Sequence, residues 1–198
     1  MVETVGVGWE VEIGRGEIRA RGYPFPGASL HPSGVLAADR VRDGDDGAPL
    51  PELRLLSGET VFVPAARRGE LKSFCRRNGI ALRRRPDLWA ALLEPFLVPT
   101  LERALADEPD AAARALLARH GVDAEEVEVI RARFGPAMRA YNGVLGNADH
   151  LGLPDLLWAL QGGLAGERHA VPPDEYTEIY RWAMALADRS RDSAAPLG

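Results

Sequence analysis

The sequence predicts an α+β fold, in which a small, mainly antiparallel N-terminal sheet with a capping helix is followed by a bundle of short helices. Two observations carry this prediction. Apolar residues alternate with polar ones over residues 5–21, as on a strand with one buried face, and after Pro64 they recur at spacings of three and four, as on a helix. We therefore expect a β-rich domain at 1–85 and a helical domain at 86–198 packed against it.

The composition is that of an ordinary globular protein, with 46% hydrophobic and 27% charged residues in a chain of 198. Cys75 is the only cysteine, which excludes an intramolecular disulfide and any metal site built from several thiolates, and indicates a reducing compartment. No apolar run approaches the roughly 18 residues that a membrane span needs. We therefore expect a cytoplasmic protein without a membrane span, and the sequence indicates no cofactor and no metal site.

The first hairpin is the clearest element of the predicted sheet. Residues 5–13 place five apolar side chains at alternate positions, and residues 17–21 repeat the alternation. The turn between them, Gly14-Arg15-Gly16, contains two glycines that tolerate positive φ. We expect two antiparallel strands joined by this turn.

The remaining strands are indicated less directly. Residues 35–41 predict a weaker strand, and the acidic run at 43–47 predicts an exposed loop. Residues 53–56 and 59–63 flank Ser57-Gly58, which is typical of the turn in a second hairpin. Apolar residues fall on both parities in this hairpin, so the pattern does not give its register.

The pattern over residues 67–78 predicts the first helix. Leu71, Phe74 and Cys75 form one apolar face, on which Cys75 acts as a small buried side chain, and Gly79 supplies a left-handed stop. Further helices are predicted after Pro86, with helix-capping residues at several of their starts. They cover residues 86–94, 100–106, 110–120, 123–134, 137–142, 154–161 and 173–187, with Gly135-Pro136 interrupting the fourth.

The order of hairpin, strand, hairpin and amphipathic helix in residues 5–79 resembles a bacterial pleckstrin-homology-like domain. The segments that carry this resemblance are 9–13, 16–21, 53–63 and 70–77. The resemblance implies a bent sheet closed at one end by a C-terminal helix. It also implies a scaffold that binds peptides or lipid headgroups and does no chemistry. No family is indicated for the helical part.

Residues 67–85 contain eight basic residues and the single acid Glu70. Clustered arginines can bind the phosphates of nucleic acid or an anionic membrane surface, but the sequence pI near 5.5 and the lack of interleaved aromatic residues disfavour nucleic acid. Residues 86–198 hold 18 acidic and 10 basic residues, so most of the basic segment is expected to form an electrostatic seam with the helical part. The stripe Arg68, Lys72 and Arg76, spaced by four, remains as the predicted contact surface for another protein.

The densest group of potential acid, base or ligand residues is Asp149, His150 and Asp155, with Glu94 as a second-site partner if the fold brings it near. A buried carboxylate there has a raised pKa and could act as a general acid or base. The His-x-x-x-x-Asp spacing is not a recognised metal-ligand pattern, which favours structural roles. A cleft lined by Arg139, Tyr141 and Asn142 is a further hypothesis.

These observations favour a non-enzymatic interaction or regulatory protein. Two alternatives stay open: a small hydrolase or metal-dependent enzyme with its site in the helical part, and a polyanion-binding protein that uses residues 67–85. No dinucleotide fingerprint, phosphate-binding loop or nucleophile elbow occurs in the sequence.

Overall fold

The computed structural model describes residues 8–97, 110–146, 148–162 and 166–189, and the chain divides into two compact units, Met1–Arg84 and Arg85–Gly198. The first unit carries the strands and one α-helix, and the second is helical, so the predicted α+β class is confirmed. None of the helices in the described ranges combines the length and the apolar composition needed to cross a membrane.

The strands of the first unit form two sheets. The first sheet is antiparallel, in the order β1-β2-β3, and the second has the order β6-β5-β4-β7, with β7 parallel to β4. The strand bounds are β1 Glu10–Ile13, β2 Glu17–Arg21, β3 Ser33–Ala37, β4 Val41–Asp45, β5 Glu52–Leu55, β6 Thr60–Phe62 and β7 Ala81–Leu82.

The first hairpin follows its predicted alternation. Val11 of β1 and Ile18 and Ala20 of β2 are buried, whereas Glu12 and Arg19 are exposed. Glu12 lies opposite Arg19 in the antiparallel register, so the two opposite charges share the outer face. The first part of the predicted strand, residues 5–7, lies outside the described residues.

The acidic run at 43–47 is not an exposed loop, because its first three residues belong to β4. Asp45 is buried, and its Oδ1 accepts hydrogen bonds from the backbone N–H groups of Gly47 and Ala48, at 2.8 and 3.2 Å. Asp43 accepts a hydrogen bond from the buried Arg54 of β5. A partner on a neighbouring strand therefore lets an acidic sequence form an inner strand. The strand predicted at 35–41 is also divided, by a 3₁₀ turn at Ala38–Arg40.

Helix α1, Arg68–Arg77, buries the predicted apolar face of Leu71, Phe74 and Cys75. Burial raises the pKa of the Cys75 thiol to about 11, which keeps it neutral and fits its packing role. The helix ends where the Asn78 side-chain amide donates to the Phe74 carbonyl, and Gly79 follows with φ of 66°.

The second unit contains α2 Leu88–Leu93, α3 Ala111–Arg119, α4 Ala124–Leu145, α5 Leu153–Leu160 and α6 Pro173–Asp188. Short 3₁₀ turns occupy Glu94–Phe96 and Glu167–His169. Trp89 is buried in the core, and its indole N–H donates to the Ala183 carbonyl of α6 at 3.0 Å. The helix predicted at 100–106 lies outside the described residues.

The predicted interruption at Gly135-Pro136 does not occur, because α4 runs through both residues. Pro136 lies on the exposed side of the helix, where the one backbone hydrogen bond it removes leaves a carbonyl that water can reach. Gly135 lies on the buried side, and a Cβ there would stand 2.9 Å from two ring carbons of Phe96. The dipeptide therefore allows close packing and does not break the helix.

Candidate functional site

The predicted basic stripe of α1 divides into residues with different surroundings. The Arg68 guanidinium donates to the carbonyls of Asp46, Ala48 and Pro49, the last two at 2.8 and 3.0 Å. Those carbonyls belong to the turn that follows β4, so Arg68 holds this turn against the start of α1. Three donors committed to backbone carbonyls give Arg68 a structural role within the first unit.

Lys72 and Arg76 are the exposed members of the stripe. The Lys72 ammonium lies 3.4 Å from an Asp46 carboxylate oxygen, but 68% of the lysine side chain is exposed, so this ion pair is weak. No carboxylate of the described residues forms an ion pair with Arg76. These two residues lie one helical turn apart, and their charges remain accessible at the surface.

The C-terminal end of α1 contacts the first hairpin. The Asn78 side-chain amide donates to the Arg15 carbonyl at 2.9 Å, and the Arg77 guanidinium donates to the Gly14 carbonyl at 3.2 Å. The side chains of Arg15 and Arg77 are both exposed. The hairpin also lines a shallow depression of about 500 Å³ through Glu12, Gly14, Arg15, Gly16, Glu17 and Arg19.

The other basic residues of the segment have local contacts. Arg67 forms an ion pair with Glu70 at 2.6 Å, and the Arg84 guanidinium lies so close to Gly47 that a Cβ there would come within 2.5 Å of it. Arg85, in the second unit, donates to the Ala187 carbonyl at 3.1 Å. The predicted seam between the two parts stays a prediction.

In the second unit, His150 is paired with an aspartate that sequence reasoning missed. The His150 Nε2 lies 3.5 Å from Oδ2 of Asp87, whose Oδ1 accepts a hydrogen bond from the Ala90 N–H at 2.9 Å and so caps α2. Gly152 lies against this pair, because a Cβ there would stand 3.1 Å from His150 Nε2 and 3.4 Å from Asp87 Oδ2.

Asp155 lies in the first turn of α5 and contacts Gly152 and Tyr141. Its Oδ2 accepts a hydrogen bond from the Gly152 N–H at 2.8 Å, and its Oδ1 accepts one from the Tyr141 hydroxyl at 3.2 Å. The structure therefore places Asp87, Tyr141, His150 and Asp155 in one polar cluster, which we call the His150 cluster.

Burial and neighbouring charges shift the ionisation of this cluster. The hydrogen bond to Asp87 raises the pKa of His150 above its ordinary 6.5, although burial opposes the charged form. Burial raises the pKa of the Asp155 carboxyl, against the opposing effects of the Gly152 N–H, the His150 charge and the Tyr141 hydroxyl. Burial and the nearby Asp155 charge raise the pKa of the Tyr141 hydroxyl, which stays protonated at neutral pH.

The other two catalytic candidates, Asp149 and Glu94, make none of the contacts that define the His150 cluster. Asp149 is exposed, and Glu94 is half-buried as the first residue of the 3₁₀ turn after α2. The carboxylates that bear on the ionisation of His150 are those of Asp87 and Asp155. In the described ranges, no group of three or more His, Cys, Asp or Glu side chains is arranged to hold a metal ion. The enzymatic alternative stays a prediction.

The cleft candidates on α4 make internal contacts. The Asn142 amide donates to the Phe96 carbonyl at 2.9 Å, and its Oδ1 accepts a hydrogen bond from the Ala148 N–H at 3.1 Å. The Arg139 guanidinium lies 5.4 Å from the centre of the Phe96 ring, a cation–π distance. Asn142 and Arg139 thus fix the 3₁₀ turn of Phe96 on α4, and Tyr141 is buried in the His150 cluster.

Sequence reasoning also missed a buried arginine. Arg131 of α4 donates to the Leu92 and Ala91 carbonyls at 3.0 and 3.1 Å, and to both carboxylate oxygens of Asp110. It satisfies carbonyls at the C-terminal end of α2, which lack helical partners. The available signal was an arginine beside the apolar positions Val127, Ile130 and Phe134, but Glu128, three residues before it, suggested a local surface ion pair.

The comparisons with known proteins add no relative: no protein-family model, no curated protein and no solved structure matches this chain.

Proposed function

We propose that this protein is a non-enzymatic interaction protein, and that its first unit binds an acidic segment of another protein through Lys72 and Arg76 of α1. The observation that carries the proposal is that these two cations are exposed one turn apart, whereas Arg68 of the same stripe is committed to three carbonyls.

The packing of α1 supports a surface role for this face. Leu71, Phe74 and Cys75 are fully buried, and the Arg68 and Asn78 contacts fix both ends of the helix on the unit. A partner therefore meets a preorganised pair of cations, so that little backbone entropy is lost on binding. The predicted resemblance to a pleckstrin-homology-like scaffold agrees with a peptide-binding role.

An acidic protein segment fits this surface better than nucleic acid. The one aromatic residue in 67–85 is Phe74, which is buried, so no ring in this segment is available to stack on a base. The chain as a whole has a net charge of -5, which opposes the approach of a long polyanion. A short acidic peptide meets the local cations and little of this repulsion.

Fluorescence anisotropy with three labelled probes tests the proposal on the full chain. The probes are a twelve-residue glutamate–glycine peptide, a lysine–glycine peptide of the same length and a twelve-nucleotide thymidine strand. We expect the acidic peptide to bind and the basic one not to bind. The double variant Lys72→Glu/Arg76→Glu should weaken binding of the acidic peptide about tenfold or more, because each reversal replaces an attraction by a repulsion of about 1 kcal/mol.

The matched control is Arg40→Glu/Arg181→Glu, which reverses two other exposed arginines and gives the same net charge. It should leave the affinity within about twofold. The proposal is wrong if the acidic peptide does not bind at low salt, or if the control weakens binding as much as the double variant. Tighter binding of the thymidine strand would replace it with the polyanion alternative.

A further inference from the structure

We propose that His150 is a pH-dependent latch, which in its protonated form holds the start of α2 to the segment before α5 and weakens this contact when it loses its proton. The latch lies within the second unit and is independent of the surface on α1. It joins residues 63 positions apart, since Asp87 precedes α2 and His150 precedes α5.

The latch rests on the double use of the Asp87 carboxylate. One oxygen caps α2 by accepting the Ala90 N–H, and the other lies 3.5 Å from His150 Nε2. A carboxylate held by a helix cap has a fixed position, so the imidazolium meets a preformed acceptor. Protonation of His150 therefore strengthens a contact to the same group that starts the helix.

Gly152 lies close to both members of this pair. A Cβ at position 152 would lie 3.1 Å from the imidazole Nε2 and 3.4 Å from the Asp87 Oδ2. The φ of Gly152 is -134°, in the extended region that any residue adopts, so a substitution there acts through space and not through backbone conformation. An alanine at 152 should push the imidazole away from the carboxylate without removing either charge.

The charged and titratable groups that bear on His150 are Asp87 and Asp155, and Asp155 in turn faces the Tyr141 hydroxyl. Both carboxylates favour the imidazolium, whereas burial disfavours it, and the hydrogen bond to Asp87 has the largest effect. The Gly152 N–H and the Tyr141 hydroxyl orient Asp155, so its carboxylate is fixed beside the latch.

The sign of the pH effect follows from linkage. The folded pKa of His150 is raised above 6.5, so its stabilisation is fully present below pH 6.5 and is lost as the pH rises through the folded value. The raised pKa of Asp155 also makes stability fall as the pH rises, but over a lower pH range, because the folded state prefers the protonated carboxyl. Both groups therefore make the second unit less stable as the pH rises through their respective windows.

Two-dimensional NMR titration of the histidine Cε1–H signals on the full chain is the direct test. The His150 signal is assigned by its loss in His150→Gln. We expect its midpoint above 6.5 in the native protein, and a shift down toward 6.5 in Asp87→Asn, whose amide oxygen still caps α2. Gly152→Ala should shift it in the same direction. Thermal unfolding of the native protein should show a Tm that falls between about pH 6 and 9, and His150→Gln should flatten this dependence.

The matched control is His169→Gln, which removes a half-buried histidine in the 3₁₀ turn of the same unit. It should keep the native pH dependence of Tm. A His150 midpoint at or below 6.5, or an unchanged midpoint in Asp87→Asn, would overturn the latch. So would equal flattening of the Tm profile by His169→Gln and His150→Gln.

Discussion

The two units use an arginine in the same way but with different partners. In the first unit Arg68 donates hydrogen bonds to three carbonyls of a turn. In the second unit Arg131 donates to two carbonyls at a helix end and to the carboxylate of Asp110. Arg131 is also more deeply buried, with 8% of its side chain exposed. A guanidinium supplies five donors, so each arginine can donate to several backbone carbonyls at once. Because Arg131 is more deeply buried and has a charged partner, we expect it to stabilise its unit more than Arg68 does.

Replacing Arg131 should lower the stability of the protein more than any other substitution considered below. In Arg131→Met the carboxylate of Asp110 and two carbonyls lose their donors, although Arg114 still reaches Asp110 at 2.6 Å. We expect the free energy of unfolding to fall by about 3 kcal/mol, in the range for removing one partner of a buried ion pair. Urea unfolding followed by tryptophan fluorescence measures this loss.

The control for that variant lies two residues away. Arg133 forms an ion pair with Glu175 at 3.0 Å, but about half of each side chain is exposed. Arg133→Met should cost about 0.5 kcal/mol, as exposed pairs do. Similar losses in the two variants would show that the buried contacts of Arg131 contribute nothing beyond its charge.

The second effect tests the arginine of the first unit. Arg68→Met removes three hydrogen bonds to carbonyls at a half-exposed site, where water replaces part of the loss, so we expect the free energy of unfolding to fall by about 2 kcal/mol. Arg76→Met, on the same stripe, should change stability by less than about 0.5 kcal/mol because it removes an exposed charge. If Arg68→Met and Arg76→Met lose the same free energy of unfolding, Arg68 has no special structural role.

Local patterns in this chain are predictable from the sequence, whereas contacts between distant residues are not. The alternation around Val11 and the apolar face of Phe74 were both predicted correctly, because each depends on one strand or one helix. The strand at Asp43 was missed because its acceptor role depends on Arg54 of the next strand. The pairing of Asp87 with His150 was also missed, because the two residues are 63 positions apart and no local sequence pattern contains both.

The third prediction concerns Arg139, whose guanidinium lies 5.4 Å from the centre of the Phe96 ring. Gly135→Ala would place a Cβ 2.9 Å from the Phe96 ring and 3.2 Å from the Arg139 guanidinium, so the ring must move. We expect a loss of about 1.5 kcal/mol from overpacking. Gly143→Ala on the same helix has open space and should stabilise the protein by about 0.5 kcal/mol. Urea unfolding of both variants checks whether packing or helix propensity determines the change in the free energy of unfolding. An increase in this free energy at both positions would contradict the tight contact at Gly135.

The smallest effect separates the two arginines by pH. Burial opposes ionisation of Asp110, but the hydrogen bonds and charges of Arg131 and Arg114 hold its pKa below the ordinary 3.8. The stabilisation from this depressed pKa is therefore present above pH 3.8 and is lost as the pH falls through the folded value. The three carbonyls around Arg68 do not titrate. Urea unfolding between about pH 6 and 2 gives the free energy of unfolding of each protein. The loss of this free energy in Arg131→Met, relative to the native protein, should become smaller at low pH, whereas the loss in Arg68→Met should stay nearly constant. If both differences shrink together, the carboxylate is not what distinguishes the two clusters, and the contrast between them reduces to burial alone.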